Sequence, residues 1–360
     1  GGHVGKDGIH GATFSSEGLD AGSPVTAVQI GDPITQKKMS DALIKEARDK
    51  GLYNSITDNG AGGLSSSIGE MAEESGGCEV WLDKIPLKYP GLHPWEIWVS
   101  ESQERMTIAT PPEKVDALLA LLNRHHVEAT VIGTFTDDGT VRLTYGDEQA
   151  MNLTLDFLHD GQPKRTLQTA TMPTEHEEPD LDEPENLSHT LCGVLADANV
   201  CSRRFISTQY DHEVQATSVL KPLQGPGQVN GEASIIKPLP RSPKGVITSQ
   251  AVFPAYGDVD TYHMAAAAID AAVRHIVCAG GTIEHTALLD NFCWCSSNEP
   301  ERLGQLRRAA QACYDYATKY GTPFISGKDS MFNDFSGFDA NGEAVKISAP
   351  PTLLISALGV

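Results

Sequence analysis

The sequence predicts an α+β (mixed α/β) protein of two domains joined by a linker. Strand-like and helix-like segments alternate along most of the chain, which is typical of this class. A length of 360 residues suits two domains. One stretch between the two halves is rich in proline and acidic residues. We therefore expect a first domain over residues 1–160, an acidic linker over 161–186 and a second domain over 187–360.

The first region begins with a glycine-rich segment and continues with short strands and amphipathic helices. Its clearest helix lies over 111–124, where Pro111 stands at the start and Val115, Leu118 and Leu122 share one face. Predicted strands cover 12–14, 25–30, 55–58, 78–82, 105–109, 129–136, 140–145 and 151–157, and the other predicted helices cover 37–50, 64–75 and 94–99.

The second region has longer helices. An alanine-rich helix is predicted over 261–278, and another over 300–320 ends at Gly321. A further helix is predicted over 187–198. Predicted strands cover 214–219, 232–237, 245–252, 283–289, 323–325 and 352–358.

Charge and composition exclude several classes of protein. The chain carries 48 acidic and 27 basic side chains, a formal net charge of −21, which argues against a nucleic-acid partner. No apolar run is long enough for a membrane span. An anionic substrate would have to be held by main-chain N–H groups, hydroxyls or bridging metal ions. Part of the negative charge lies in the linker, at Glu175, Glu177, Glu178, Asp180, Asp182, Glu183 and Glu185.

The cysteines indicate the cellular compartment of the protein, and the start of the sequence indicates whether it is a part of a longer protein. Seven cysteines at irregular spacing, with no CxxC pair, predict free, buried thiols in a reducing cytoplasm. The sequence starts at Gly1 without an initiator methionine, signal peptide or transit segment, so we expect an excised part of a longer protein.

Three segments of the first region are candidates for ligand binding. Asp58 ends a strand before a glycine-rich turn into a helix, which suits Mg²⁺ or a close ligand, although the same pattern fits a structural turn with Asp58 as a helix cap. Residues 101–105 concentrate polar groups that can hold a polar ligand, or that simply cap a helix and pair at the surface. Residues 1–11 contain five glycines. The segment matches neither the P-loop nor the GxGxxG pattern. Its main-chain amides could approach a phosphate, or the segment could be a flexible end.

The second region places acidic residues beside predicted strands and helices. Asp258 and Asp260 precede the long helix, Asp290 follows a strand, and residues 326–330 follow another. We expect these to lie in loops whose carboxylates converge on a metal and nucleotide. A cysteine–histidine nucleophile and a zinc site are not indicated, because no third orienting group and no HExxH pattern occur.

Seven motifs together identify a family resemblance. They are GGxxGKDGIHGATFSS at 1–16, QIGDP at 29–33, DNGAGGL at 58–64, LDKIPL at 82–87, SESQERM at 100–106, QYDHEV at 209–214 and SGKDSM at 326–331. On these the sequence resembles the phosphoribosylformylglycinamidine synthases, the amidotransferases of purine synthesis, over nearly the whole chain.

The resemblance implies an architecture. The synthetase core of this family has four domains in two repeats, each with an ATP-binding, N-terminal-type domain of the aminoimidazole ribonucleotide synthetase fold followed by a C-terminal-type domain. This chain resembles the second and third, so a C-terminal-type domain is expected to precede an N-terminal-type domain. The flanking synthetase domains would be missing. They include the first domain, which carries the family's proposed catalytic histidine, so the chain alone is expected to be inactive and its catalytic residue is unassigned.

The resemblance also implies substrates and site residues. The reaction uses ATP, Mg²⁺, formylglycinamide ribonucleotide and ammonia from a glutaminase domain or subunit. The family's GNxS pattern is replaced here by residues 327–330 (GKDS), so the choice of metal ligand between Lys328 and Asp329 stays open. The implied contacts are Gln29, Glu101, Ser102, Gln103 and Ser330 to the nucleotide substrate, Gly327 and Asp290 to ATP, and Asp58 and Asp329 to Mg²⁺.

Two other functions remain open on the sequence. The first is another ATP-dependent enzyme of the superfamily, of the thiamine monophosphate kinase or selenophosphate synthetase type. The second is a non-catalytic module that holds a nucleotide or supports a structure. SESQERM and DGIHGATF favour the synthase.

Overall fold

In the computed structural model the chain forms two compact units, Gly1–Thr166 and Leu167–Val360. The structure describes residues 1–8, 31–171, 176–209 and 213–360. The predicted strands at 12–14 and 25–30, and Gln29, lie outside the described residues. Among the residues that are described, no helix is long and apolar enough to cross a membrane.

The first unit combines two small sheets with helices. Strands β1 and β3 form an antiparallel ribbon, and a second sheet has the order β4-β2-β5-β6, in which only β2 and β5 are parallel among the strands described. Its helices are α1 (Pro33–Ala42), α2 (Gly63–Ser75), α3 (Pro94–Val99), α4 (Val115–Arg124) and α5 (Leu155–Asp160), and its strands are β1 (Ser55–Asp58), β2 (Cys78–Trp81), β3 (Met106–Ala109), β4 (Gly133–Phe135), β5 (Thr140–Tyr145) and β6 (Glu148–Thr154).

Two apolar clusters hold this unit together. Met39 and Leu43 pack with Leu118 and Leu122 of α4. The second cluster joins the apolar face of α2 to the larger sheet, and it contains Leu64, Ile68, Ala72, Cys78, Val80, Val141 and Leu143. The amphipathic spacing predicted for α4 therefore places Leu118 and Leu122 in the first of these cores.

Two segments of the first unit differ from the sequence prediction. The helix predicted over 37–50 begins earlier, at Pro33, because the Asp32 carboxylate accepts a hydrogen bond from the N–H of Ile34 at 3.2 Å. The chain then continues as a π-helix over Leu43–Ala47. The strand predicted over 151–157 is wrong at its end, because the hydroxyl of Thr154 accepts from the N–H of Phe157 at 3.2 Å and starts α5.

The second unit is built on one large sheet. The strand order is β13-β12-β16-β11-β10-β7, with β12 and β13 parallel and the other neighbours antiparallel. Its helices are α6 (Leu187–Ala196), α7 (Arg204–Ser207), α8 (Thr261–Cys278) and α9 (Pro300–Tyr320), and its strands are β7 (Ser218–Leu220), β8 (Leu223–Gln224), β9 (Val229–Asn230), β10 (Ala233–Ile236), β11 (Val246–Val252), β12 (Thr286–Cys293), β13 (Phe324–Ser330), β14 (Asp334–Phe338), β15 (Ala344–Ser348) and β16 (Thr352–Gly359).

The core of the second unit lies between this sheet and the two long helices. Met264 and Ile269 of α8 and Ala309 of α9 are fully buried against Leu288 and Ile355 of the sheet. The small alanine side chains of α8 allow the helix to lie close to α9 and to the strands.

Asp260 lies in a loop before α8, as predicted, but the other two acidic segments do not. Asp290 lies inside β12, paired with Gly327 on one side and Ile355 on the other. Residues 326–330 form the end of β13. The prediction was wrong because polar residues were taken to end each strand, whereas pairing with neighbouring strands extends both beyond their apolar stretches. Residues 283–285, predicted as strand, form a 3₁₀ turn instead.

Candidate functional site

Three segments meet in the first unit, and we call them the loop site: residues 1–8, 58–63 and 100–105. The hydroxyl of Ser102 accepts from the N–H of Gly5 at 2.9 Å, and the hydroxyl of Ser100 donates to the carbonyl of Gly5 at 2.7 Å. The N–H of Gly62 donates to the Glu101 carboxylate at 2.9 Å. The two glycine-rich segments are thus both attached to the same polar stretch.

Glu101 is the centre of this attachment. Its side chain is only 1% exposed. Its main-chain N–H donates to the carbonyl of Asp7 at 2.8 Å, while its carboxylate binds Gly62, the residue that caps the start of α2. A carboxylate at a helix N-terminus is favoured by the free N–H groups and the helix dipole.

The turn before α2 requires glycine for two reasons. Gly62 and Gly63 have φ values of 75° and 57°, in the left-handed region. A Cβ atom at Gly63 would lie 2.0 Å from the carbonyl oxygen of Ser100. The glycines therefore bring the turn into direct contact with the segment that carries Glu101.

Asp58 lies at the exposed end of β1, beside this turn. Its carboxylate accepts from the N–H of Gly60 at 2.8 Å and so shapes the turn. Asp58 is not the cap of α2, since Gly62 holds that position. Among the described residues no group of three or more His, Cys, Asp or Glu side chains is arranged to hold a metal ion. A cation at Asp58 would thus need oxygen ligands from a substrate, as Mg²⁺ commonly does.

Charged side chains that are partly or fully buried stabilise the loop site. Asp7 accepts from the hydroxyl of Ser102 and forms an ion pair with Lys88 at 2.7 Å. Ser102 and Arg105 are 0% and 9% exposed, so residues 101–105 form an interior network and not a surface charge pair. Gln103 is half-buried, and its amide donates to the carbonyl of Glu101 at 2.8 Å.

A cavity of about 590 Å³ opens beside this network. Its walls are mainly apolar, and Asn59 and Arg105 are among its polar residues. Asn59 is 4% exposed and accepts from the hydroxyls of Ser67 and Thr107 at 2.6 and 2.9 Å. This side chain therefore fixes the end of β1 to α2 and β3.

The second unit brings four predicted residues to one edge of its sheet, which we call the strand-edge site: Asp290, Gly327, Asp329 and Ser330. Asp290 and Gly327 are paired neighbours on β12 and β13. A Cβ atom at Gly327 would lie 2.2 Å from the Asp290 carboxylate, so the carboxylate lies directly over the glycine. Burial, together with the nearby Asp329 charge, raises the pKa of Asp290.

Ser330 is held more firmly than Asp329. Its carbonyl accepts from the N–H of Trp294 and from the side chain of Asn333, both at 2.8 Å, and its hydroxyl accepts from Lys328 at 3.2 Å. Asp329 is exposed on the edge strand. Since alternate residues of a strand share a face, Asp329 lies on the same face as Gly327, and Lys328 lies with Ser330 on the other face.

Asp260 does not join the strand-edge site. It caps α8 through the N–H of Tyr262 at 3.0 Å and binds the Arg308 guanidinium through both carboxylate oxygens, at 2.9 and 2.6 Å. Although burial opposes its ionisation, these bonds lower the pKa of Asp260. Asp258 is exposed. Asp260 was expected to converge with Asp290 and residues 326–330, and this prediction is wrong. Its carboxylate instead links the start of α8 to Arg308 of α9.

Both units match known domain models. Residues 3–146 match the AIR synthase related protein, C-terminal domain, and residues 232–355 match the AIR synthase related protein, N-terminal domain. The chain belongs to the AIR synthase related family. The order of the two domains and the mixture of helices and sheets confirm the predicted fold class.

Several relatives of this chain carry the same name. The phosphoribosylformylglycinamidine synthase subunit PurL of Ignicoccus hospitalis is 33% identical over the full chain, and the match covers 48% of that relative. The subunit of the same name from Thermoplasma acidophilum is 31% identical over 99% of the chain, covering 46% of the relative. The chain therefore spans about half the length of the curated relatives it matches.

Solved structures give the same result. Thermotoga maritima PurL complexed with FGAR has a TM-score of 0.75 and 26% identity, covering the whole of this chain and 54% of that one. The PurLQS structure from the same organism has a TM-score of 0.72 and 25% identity, covering 93% of this chain and 51% of that one. The resemblance to the synthases is thereby confirmed.

Sequence reasoning missed three supporting residues of this AIR synthase related chain. Asp7 and Asn59 were part of motifs without a predicted role. Arg105 was predicted only as one of the polar groups of residues 101–105, and not as the residue that binds two main-chain carbonyls. Each is a polar residue whose neighbours in sequence were assigned to a ligand. Buried polar side chains need hydrogen-bond partners, so their density in residues 100–105 was a usable signal.

Proposed function

We propose that this chain is part of an ATP-dependent phosphoribosylformylglycinamidine synthase, which converts formylglycinamide ribonucleotide to the amidine in purine biosynthesis. The observation that carries the proposal is the loop site, in which three of the seven motifs that resemble the family are joined by hydrogen bonds of Glu101 and Ser102. Its support is the similarity of the whole of this chain to about half the length of PurL subunits and of a PurL structure solved with FGAR.

The chemistry has two steps. The amide oxygen of the substrate attacks the terminal phosphorus of ATP, and ADP leaves. Ammonia then adds to the activated carbon, and phosphate leaves to give the amidine. Such a reaction depends on positioning and on neutralising the charge of the transferred phosphoryl group. A chain with a net charge of −21 would do this with main-chain amides, neutral side chains and Mg²⁺.

The nucleotide substrate is assigned to the loop site, with Gln29 and the segment of Glu101, Ser102 and Gln103. Because Glu101 and Ser102 are buried, they hold the shape of the segment, and Gln103 is the more accessible side chain. Ser330 is assigned to the substrate as well. The strand-edge site, through Gly327 and Asp290, is assigned to ATP, the ligand named in another T. maritima PurL structure.

Asp58 in the first unit and Asp329 in the second would each hold Mg²⁺ at its own site. Both carboxylates are exposed, and each offers hard oxygen ligands. The ion supplies charge neutralisation of the phosphates when bound. One protein carboxylate together with phosphate oxygens is a common ligand set for Mg²⁺, so the residues present fit the ion.

The chain would supply the second and third of four domains, at about 1–160 and 187–360, with an acidic linker at 161–186. Ammonia would come from a glutaminase domain or subunit. The seven cysteines are all free, which agrees with a reaction in the cytoplasm, but only Cys78 and Cys295 are fully buried, so the predicted burial is wrong for the others. On this proposal the chain alone binds nucleotide without completing the reaction.

Phosphate release tests the proposal. ATP, Mg²⁺, formylglycinamide ribonucleotide and an ammonium salt are mixed with this chain, and separately with a longer protein that contains it. We expect release by the longer protein only. No release by the longer protein would overturn the synthase assignment, and release by this chain alone would overturn the division into domains. Thiamine monophosphate in place of the ribonucleotide is the control substrate, and phosphorylation of it would favour the kinase alternative.

A further inference from the structure

Arg105 is a buried guanidinium whose hydrogen bonds go to the main chain of the loop site. Its Nε donates to the carbonyl of Ser102 at 2.6 Å, and its Nη2 donates to the carbonyl of Ser100 at 2.5 Å. These two carbonyls flank Glu101. The Nε and Nη2 groups of Arg105 therefore fix the backbone conformation of the segment that contains Glu101.

The charge of Arg105 has a counter-ion nearby. Burial lowers the pKa of Arg105 to about 10, and the charge of Asp7 opposes this effect. The guanidinium therefore remains protonated at neutral pH. Asp7 in turn binds the hydroxyl of Ser102 and the ammonium of Lys88. Arg105 thus binds the carbonyls on either side of Glu101, and Asp7 binds the hydroxyl of Ser102.

We propose that Arg105 is a positioning residue for the nucleotide substrate, acting through Glu101 on the glycine turn that precedes α2. The two carbonyl bonds fix the Glu101 backbone, the Glu101 carboxylate fixes the N–H of Gly62, and the turn takes its shape from that bond. This inference rests on the proposed function, since it takes the ligand of the loop site to be formylglycinamide ribonucleotide.

The role requires arginine and not simply a positive charge. A guanidinium presents several N–H groups in a rigid plane, so it can bind two carbonyls two residues apart. A lysine ammonium at the same place is a single point on a flexible stem. Arg105→Lys therefore retains the charge beside Asp7 but loses the fixed pair of bonds.

The test compares Arg105→Lys with Arg142→Lys. Arg142 lies in the same unit, is about one-third exposed and forms an ion pair with Asp138 at 2.6 Å, so its variant controls for the substitution itself. Binding of formylglycinamide ribonucleotide is measured by calorimetry. Hydrogen exchange is measured by mass spectrometry on peptides that span residues 58–63. Both are done well below the melting temperature.

For Arg105→Lys we expect affinity about tenfold weaker or worse, as for the loss of a charge-assisted hydrogen bond. Exchange at 58–63 should be faster, with little change in exchange in α8 and α9. The Arg142→Lys variant should match the wild type in both measurements. Unchanged affinity and unchanged exchange in Arg105→Lys would overturn the inference while the proposed function stands.

Two further outcomes are distinguishable. Failure of the wild type to bind the ribonucleotide would overturn the proposed assignment of that substrate to the loop site, and the exchange data would still decide whether Arg105 fixes the turn. If Arg105→Lys does not fold, Glu101→Gln tests the same linkage, because it retains the Arg105 bonds and weakens the acceptor of the Gly62 N–H. Weaker binding and faster exchange at 58–63 are expected, and wild-type behaviour of Glu101→Gln would overturn the inference.

Discussion

The carboxylate of Glu101 accepts a hydrogen bond from the main-chain N–H of Gly62 at 2.9 Å, across 39 residues of sequence. One residue belongs to a glycine-rich turn and the other to a polar segment before β3. The bond makes the two motifs parts of one structure. A change in either motif should therefore affect the other.

Gly63→Ala should be far more destabilising than an ordinary glycine substitution. An alanine there would have a left-handed backbone and a Cβ only 2.0 Å from the Ser100 carbonyl oxygen. Gly139→Ala is the matched control, since Gly139 has φ of 74° but open space around the added Cβ. In urea denaturation we expect a loss of about 3 kcal/mol or more for Gly63→Ala and about 1 kcal/mol for Gly139→Ala. Equal losses would show that the contact with Ser100 does not matter.

Local sequence was sufficient to predict the long helices. The bounds of α8 and α9 agree with the prediction, because each end has its own signal: Asp260 caps α8, and Gly321, with φ of 71°, ends α9. Apolar residues at helical spacing between those ends bury one face. Such features lie within a few residues of one another, so they are visible in the sequence alone.

The ends of β12 and β13 were not predictable in this way. Asp290 reads as the end of an apolar strand, yet it is paired on both sides in the sheet. Pairing depends on residues that are distant in sequence. The same limit applies to the loop site: the motifs marked its members, but the bonds of Arg105 to Ser100 and Ser102 depend on the folded path of the chain.

Asp260→Asn should destabilise the protein at neutral pH and have less effect in acid. The pKa of Asp260 is lower in the folded state than in the unfolded chain, where it is about 4. Its ionisation therefore stabilises the folded state at any pH above about 4. That contribution is lost as the pH falls through the lower, folded-state pKa. Asparagine is also a good helix cap, so the variant mainly removes the charge that binds Arg308.

Urea denaturation from pH 2 to 8 measures this difference, because the charge contribution is lost only below the unfolded pKa of about 4. We expect Asp260→Asn to lose about 1.5–3 kcal/mol at pH 7, the range for a hydrogen bond to a charged group, and less as the pH falls below 4. Asp258→Asn, two residues away and exposed, should follow the wild type at every pH. A loss for Asp260→Asn that is constant with pH would assign the effect to packing and not to charge.

The thiols should differ widely in reactivity. Burial raises the pKa of Cys313 to about 12, with the Asp290 charge adding to the effect, and burial raises the pKa of Cys78 to about 11. Cys192 and Cys278 are exposed. Since the thiolate is the reactive form, iodoacetamide at pH 8 should label Cys192 and Cys278 first. Cys78 and Cys313 should be labelled only after unfolding, as read by peptide mass spectrometry, and rapid labelling of Cys313 in the folded chain would contradict its burial.

Gly327→Ala tests how closely Asp290 lies over β13. The added methyl group would meet the Asp290 carboxylate at 2.2 Å, and the side chain would have to turn away. We expect a loss of about 1–3 kcal/mol, the usual range for an overpacked site. If the cost arises from this one contact, it should disappear when the carboxylate is absent. The double variant Gly327→Ala with Asp290→Ala should therefore be no less stable than Asp290→Ala alone. Urea denaturation of all four proteins gives the coupling between the two positions, and strictly additive losses would mean that the methyl group meets some other part of the strand.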